Sequence, residues 1–157
     1  MKVEIRRATP ADIDACARIN YEAFKGVSDR HQFPTDFPTL DFATEITGEL
    51  IDSPSFFDIV AESEGSVVGC GFMDERNPIR GIGPVSVDRA FQSQGTGRKI
   101  MKALLEKGQE APGIRLVQES FNLASLSLYI SLGFDVKEPL LLMEGKFRSQ
   151  PQYGFEV

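Results

Sequence analysis

Residues 85–108 read VSVDRAFQSQGTGRKIMKALLEKG. The alternating run at Val85, Ser86 and Val87 leads through two glycines, Gly95 and Gly97, into an amphipathic segment. Ile100, Met101, Leu104 and Leu105 recur at helical spacing, so a helix opens directly after the glycines. Arg98 and Lys99 fall in its first turn, where aligned peptide dipoles already carry partial positive charge. Cations there are unfavourable unless an anion joins them. A helix N-terminus with unpaired N–H groups is itself an anion site, and glycines let those groups approach a ligand closely. A phosphate would engage the dipole, the backbone donors and both side chains together. A glycine turn whose basic side chains reach solvent accounts for the same residues. Two familiar phosphate loops are excluded. GxxxxGK[ST] is absent, and Ile100 stands where the third glycine of GxGxxG would be.

Outward from this stretch, the chain reads as alternating strands and helices. VEIRRA (3–8) alternates as a first strand, and TPADIDACARINYEAF (9–24) reads as a helix with Thr9 as N-cap, Pro10 at its first position and Asp12 in a capping box. Ile13, Cys16, Ala17, Ala23 and Phe24 share one face, with Asn20 in its middle; Asn20 either finds a buried partner or looks into a cleft. GVSDRHQFPTDFPTL (26–40) reads as a loop, and LDFATEITGELI (40–51) as a second helix. FFDIVAE (56–62) and SVVGCGFMDE (66–75) form a hairpin pair, and IGPVSVD (82–88) is the fourth strand. GIRLVQES (113–120) is a strand and NLASLSLYISL (122–132) a helix, capped by Asn122 and stopped by Gly133. FDVKE and LLLMEGKF (140–147) read as two last strands. The order β-α-α-β-β-β-α-β-α-β-β predicts a single mixed α/β domain over residues 1–147. For the tail, residues 148–157, an extra edge strand, a dimer contact and a flexible end are the open readings.

The 157 residues fit one domain, and 41% hydrophobic with 25% charged residues is ordinary globular composition. No apolar run is long enough to span a bilayer, and the N-terminal residues lack the apolar core of a secretion signal, so a cytoplasmic location is expected. A net charge of −6 argues against nucleic acid as partner and suits an amine substrate. Cys16 and Cys70 sit in apolar contexts and read as buried hydrophobes. One histidine and two separated cysteines make no recognisable zinc site, and no GxSxG nucleophile motif occurs.

QSQGTG (92–97) resembles the acetyl-CoA motif Q/R-x-x-G-x-G/A of the GCN5-related N-acetyltransferase (GNAT) superfamily, placed as in that family after the fourth strand and opening the third helix. NLASLSLYISLGF (122–134) resembles the family's later N-x-x-A/S-x-x-x-Y helix ending in L-G-F, with Asn122, Ser125, Tyr129, Gly133 and Phe134 in register. The resemblance spans the whole chain in element order and residues 82–134 in motif. It implies a mostly antiparallel central sheet flanked by helices, with acetyl-CoA as co-substrate and no metal. It places the diphosphate over Gln92, Ser93, Gln94, Gly95, Thr96, Gly97 and Arg98, and the pantetheine arm along the fourth strand at Val85 and Val87. Pro84 fits an edge or a bulge there, where the family often has one; a plain strand entry is the alternative.

Asn122, Ser125 and Tyr129 fall at i, i+3 and i+7, on one helix face, with Leu123, Leu126 and Ile130 expected on the neighbouring core-facing strip. In the family such a tyrosine is the usual general acid toward the departing thiolate; a buried tyrosine with one satisfied hydroxyl is the plainer reading of Tyr129. Asn122 also reads as a simple helix cap. The reaction implied is direct acetyl transfer to an amine of a small molecule or peptide. For the general base the candidates are Asp36, Asp74, Glu75, Glu119, His31 or water, since GIGPVSV carries no carboxylate. That gap keeps a non-catalytic acyl-CoA sensor open as the alternative, and the aromatic tail keeps open an interaction module. Phe33 and Phe37 lie in the loop expected to wall the acceptor site. A homodimer is compatible with the sequence.

Overall fold

A computed structural model describes residues 2–141 and 145 of the chain. Five strands build one sheet in sequence order: β1 (Glu4–Arg7), β2 (Phe56–Ser63), β3 (Ser66–Asp74), β4 (Ile79–Val87) and β5 (Gly113–Leu116). The first three pairings are antiparallel. The β4–β5 pairing is parallel, because α3 (Thr96–Lys107) carries the chain back between them. Helices α1 (Ile13–His31) and α2 (Leu40–Asp52) follow β1, and α4 (Leu123–Ser131) follows β5. This is the mixed, mostly antiparallel sheet with flanking helices that the family resemblance implies. Among the described residues, no helix is long and apolar enough to cross a membrane.

Strand alternation sends residues to two faces. Val60, Cys70 and Phe72 pack with Cys16 of α1 and Leu50 and Ile51 of α2. Ile59, Ala61 and Met73 pack with Ile100, Met101 and Leu104 of α3. The second contact is very close. A Cβ on Gly71 would lie 2.5 Å from Ile100 Cγ2 and 3.1 Å from Leu104 Cδ1, and one on Gly69 would lie 2.9 Å from Ile100 Cδ1. The two glycines of β3 therefore form a track into which the apolar stripe of α3 sinks, fixing where α3 begins.

Asn20 is fully buried and takes the structural role: its Nδ2 donates to Thr47 Oγ1 at 3.2 Å, and its Oδ1 accepts from Cys70 Sγ at 3.4 Å. Cys16 and Cys70 are free and buried, and the adjacent Cys16 side chain together with desolvation pushes the Cys70 thiol up. At the start of α1, Pro10–Asp12 form a short 3-10 turn. The Asp12 carboxylate accepts from the Thr9 N–H at 2.8 Å and from both terminal nitrogens of Arg6, each at 2.8 Å.

Several boundaries and one helix face differ from the sequence expectation. Helix α1 continues to His31 instead of ending at Phe24. Gly26, read as a break, lies on an open face, where its cost is only the ~1 kcal/mol of glycine's low helix propensity. The Lys25–Asp29 pair at 2.6 Å and the left-handed cap at Gln32 carry and close the extension. Strand β5 stops at Leu116, since β4 bends away beyond that pairing. Residues 134–138, expected as a strand, form none. On α4, Leu123 and Ile130 are 69% and 53% exposed, while Leu128, Tyr129 and Leu132 pack against the sheet core. The helix is turned so that Leu123 and Ile130 of the expected core strip face outward and Leu126 is half-buried, because Tyr129 itself fills the inward position. Most of the predicted strand 140–147 and all of the tail 148–157 lie outside the described residues.

Gly71→Ala is expected to lower stability by about 1–3 kcal/mol in denaturant unfolding, since Ile100 Cγ2 cannot swing away from the new methyl. A variant as stable as the parent would mean that α3 is free to lift. A second expectation concerns acid. Arg6, with help from Thr9, holds the Asp12 carboxyl down at about 2. Its folded-state value lies below the unfolded one near 3.9, so its contribution is full above about pH 4 and fades as pH falls toward 2. Asp12→Asn is expected to cost roughly 1–2 kcal/mol at pH 7, discounted for the half-exposed Arg6, and the gap should narrow below about pH 4 and close as pH falls through about 2. A gap that stays constant with pH would rule out the ion pair as its cause.

Candidate active site

The sheet splits between β4 and β5. Their pairing runs from Ile79 opposite Gly113 to Ile82 opposite Leu116 and ends there, while β4 continues to Val87. On its other side β4 stays paired with β3 through Gly71–Val85, Cys70–Ser86 and Gly69–Val87. The Asp88 N–H donates to Val68 O at 2.9 Å, so by alternation Ser86 points its backbone groups toward β3. Val85 and Val87 then point theirs into the gap that β5 leaves. Just before them β4 carries a bulge: between Gly71–Val85 and Met73–Ile82 it holds one residue more than β3, at Gly83–Pro84, whose peptide bond is cis. The bulge expected at Pro84 is present, and it marks where β4 leaves β5.

The glycine loop closes the far end of this gap. Ser93 and Gly95 adopt left-handed backbone angles, with φ of 60° and 86°. Gln92 Nε2 donates to Val87 O at 2.9 Å and Gln94 Nε2 to Ala90 O at 2.7 Å, so both glutamine side chains brace the loop from within. The first helical bond of α3 here is Lys99 N–H to Gly95 O at 3.0 Å. Among the described residues, no acceptor meets the N–H groups of Thr96, Gly97 or Arg98. Three unpaired donors thus point together out of the start of α3. Thr96 is 2% exposed, and its Oγ1 also has no partner among the described residues. A Cβ on Gly97 would lie 3.5 Å from Leu128 Cδ2 and 3.7 Å from Val87 Cγ2, so this glycine sits where β4, α3 and α4 converge. The two cations are turned to protein acceptors: Arg98 Nη2 donates to Ser131 Oγ at 2.7 Å, and Lys99 Nζ to Val3 O at 3.2 Å.

On the other wall, Asn122 Oδ1 accepts from the Ser125 N–H at 3.3 Å, the capping role read for Asn122. Tyr129 stands inward, edge-on to Phe134 at 6.0 Å. Burial pushes its phenol up, against a smaller downward pull from the Ser125 hydroxyl, so the proton stays on oxygen at neutral pH.

The five base candidates separate by place. Asp74 is bound by Arg76 through two bonds at 2.9 and 2.7 Å, which hold its carboxyl below the usual range. Glu75 faces Lys107 at 3.6 Å, at the end of α3 opposite the glycine loop. Asp36 remains in the loop between α1 and α2. His31 and Glu119 make contacts in the segment that leads into α4. The His31 ring stacks on Phe121 at 4.6 Å, and Glu119 O accepts from the Asn122 N–H at 3.0 Å. Phe121 also meets Phe33 at 5.3 Å, whereas Phe37 is buried edge-on to Phe24 at 5.0 Å and anchors the loop. Phe121 escaped the sequence reading. It stands ninety positions from His31 along the chain, and no local pattern links the two. Among the described residues, no three His, Cys, Asp or Glu side chains gather as metal ligands.

The geometry joins a strand edge that β5 leaves open to unfilled amides at a helix start, groups that can pair with an extended amide chain and with an anion. The family model described as acetyltransferase (GNAT) family matches residues 17–134, more than half of the chain. The chain belongs to that family. The fold is shared with the PaiA N-acetyltransferase of Thermoplasma acidophilum solved with coenzyme A, at TM-score 0.77 and 13% identity over 88% of this chain and 93% of that one. It is shared with the ribosomal-protein-S18-alanine N-acetyltransferase of Escherichia coli, at TM-score 0.69 and 19% identity over 87% and 80%. A transcriptional regulator from Bacillus halodurans C-125 also has it, at TM-score 0.72 and 21% identity over 92% and 100%. Among curated proteins, none matches the sequence.

Gly95→Ala is expected to cost about 1–2 kcal/mol through its left-handed backbone angle rather than through a clash, since a Cβ there meets nothing within 4 Å. Thermal unfolding would show the loss, and parental stability would mean that the loop can adopt another conformation.

Proposed function

We propose that the protein is an acetyl-CoA-dependent N-acetyltransferase that moves an acetyl group directly from the thioester to an amine of a small molecule or peptide. One observation carries the reading: the backbone of Val85 and the N–H of Val87 open into a gap that ends at the three unpaired amides of Thr96, Gly97 and Arg98, while Gln92 covers the Val87 carbonyl. These residues fit coenzyme A. An amide-rich arm can pair with a free strand edge. A diphosphate suits converging N–H groups at the positive end of a helix, and the unpartnered Thr96 hydroxyl adds a fourth donor.

Acetyl-CoA would supply an activated acyl group. The Val85 N–H, aimed into the gap, is placed to donate to the acyl oxygen as charge develops there. The incoming amine loses its proton as the C–N bond forms and the C–S bond breaks. Tyr129 holds a proton that it can pass to the leaving sulfur, and its raised pKa keeps that proton available. His31, stacked on Phe121, and Glu119, whose backbone meets the Asn122 N–H, are the base candidates with contacts just before α4, to receive the amine's proton directly or through water. The net charge of −6 favours approach of a cationic amine. A structural neighbour described as a ribosomal-protein-S18-alanine N-acetyltransferase supports a peptide amine among the acceptors to be tried.

Calorimetry with coenzyme A, followed by thiol release from acetyl-CoA across a panel of small and peptide amines, tests this reading. Binding with thiol release is the expected result. Binding without release from any amine would leave an acyl-CoA sensor, and no binding would end the proposal. With an accepted amine, Tyr129→Phe is expected to lower kcat by about 10²-fold or more while coenzyme A affinity changes little. Equal kcat would reduce Tyr129 to a packing role.

A further inference from the structure

Helix α4 is lightly held. None of its residues is fully buried, and its outer side exposes Leu123 and Ile130. Yet it carries Tyr129, whose position sets the reach of the phenol. Two contacts seat it on the first turn of α3. Leu128 rests over Gly97, and Arg98 Nη2 donates to Ser131 Oγ at 2.7 Å. Ser131 Oγ in turn donates to Leu128 O at 2.6 Å, so the hydroxyl is locked between its own helix and the guanidinium. Tyr129 and Ser131 lie on opposite sides of the helix, about 200° apart at 3.6 residues per turn. A bond at Ser131 therefore resists rotation that would swing the phenol away.

We propose that Arg98 is a positioning residue that couples occupancy of the glycine loop to the placement of Tyr129. Its guanidinium has five donors in a rigid fork, and one nitrogen is used on Ser131. Among the described residues its other donors have no protein partner, and Arg98 belongs to the same first turn as the free amides of Thr96 and Gly97. A diphosphate held there grips the same guanidinium that holds Ser131, so cofactor binding stiffens α4 and fixes the phenol. This also explains why a cation occupies the first turn of α3: it joins an anion site to a neighbouring helix. The inference rests on the acyl-transfer reading above and deepens it.

The test uses Ser131→Ala, which removes the tether but leaves Arg98 free for phosphate, and Ser131→Thr, which restores a hydroxyl. In hydrogen exchange, coenzyme A is expected to slow the amides of residues 127–131 by about tenfold in the parent protein. That protection should vanish in Ser131→Ala and return in Ser131→Thr. With an amine from the panel, Ser131→Ala should lower kcat by about five- to tenfold with KM for acetyl-CoA within about twofold, and Ser131→Thr should recover it. Coenzyme A protection of α4 and parental kcat in Ser131→Ala, with thiol release intact, would overturn the coupling alone. Failure of the parent to bind coenzyme A would overturn the coupling and the acyl-transfer reading together.

Discussion

The structure depends on the close approach of α3 to β3. Gly69 and Gly71 present no side chains, and Ile100 fills the space a methyl would need. The helix axis is thereby held against the middle of the sheet. Its first residues are delivered to the end of β4, where the sheet has already split. Had β3 carried side chains at those two positions, α3 would ride higher, and its amides would no longer line up with the open edge of Val85 and Val87. Packing on one face of the sheet thus places the polar opening on its rim.

The split itself has a local cause. The extra residue of β4 at Gly83–Pro84 interrupts the ladder with β3 and bends β4 away from β5. Backbone groups left unpaired by that bend would be a liability on an ordinary edge. Here they face a cleft that a second extended chain of amides can fill. The same logic applies to the helix start, where three N–H groups and the buried hydroxyl of Thr96 lack partners among the described residues. Unsatisfied groups gathered at two adjoining places favour a ligand that meets both.

The cations of the first turn find their acceptors elsewhere in the protein. Lys99 reaches the Val3 carbonyl next to β1, and Arg98 reaches Ser131 on α4. Each crosses from α3 to a different neighbour, so the turn with the unpaired amides also fastens parts of the chain distant in sequence. Polar side chains of the loop act similarly: Gln92 and Gln94 close it on the end of β4 and on Ala90, leaving its outward surface to backbone donors.

Much of this was legible in the residues. The alternation of β2 to β4, the capped starts of α1 and α4, the glycine loop before an amphipathic helix and the element order all follow from periodicity and turn chemistry, because these act over a few neighbouring positions. The paired patterns at 92–97 and 122–134 pointed to the family to which the chain belongs. The rotation of α4 was not legible. Leu123, Leu126 and Ile130 are as apolar as the residues that do pack, and only the sheet beneath decides which side turns inward. The length of α1 escaped because Gly26 looks like a break until its open surroundings are seen. The meeting of His31 with Phe121, and of Arg98 with Ser131, joins residues 90 and 33 positions apart. Local sequence determines which segments become strands, helices and turns, since those choices are settled by each residue's own neighbours. Which side chains converge on the cleft was decided by tertiary packing alone, since that depends on how rigid elements settle against one another.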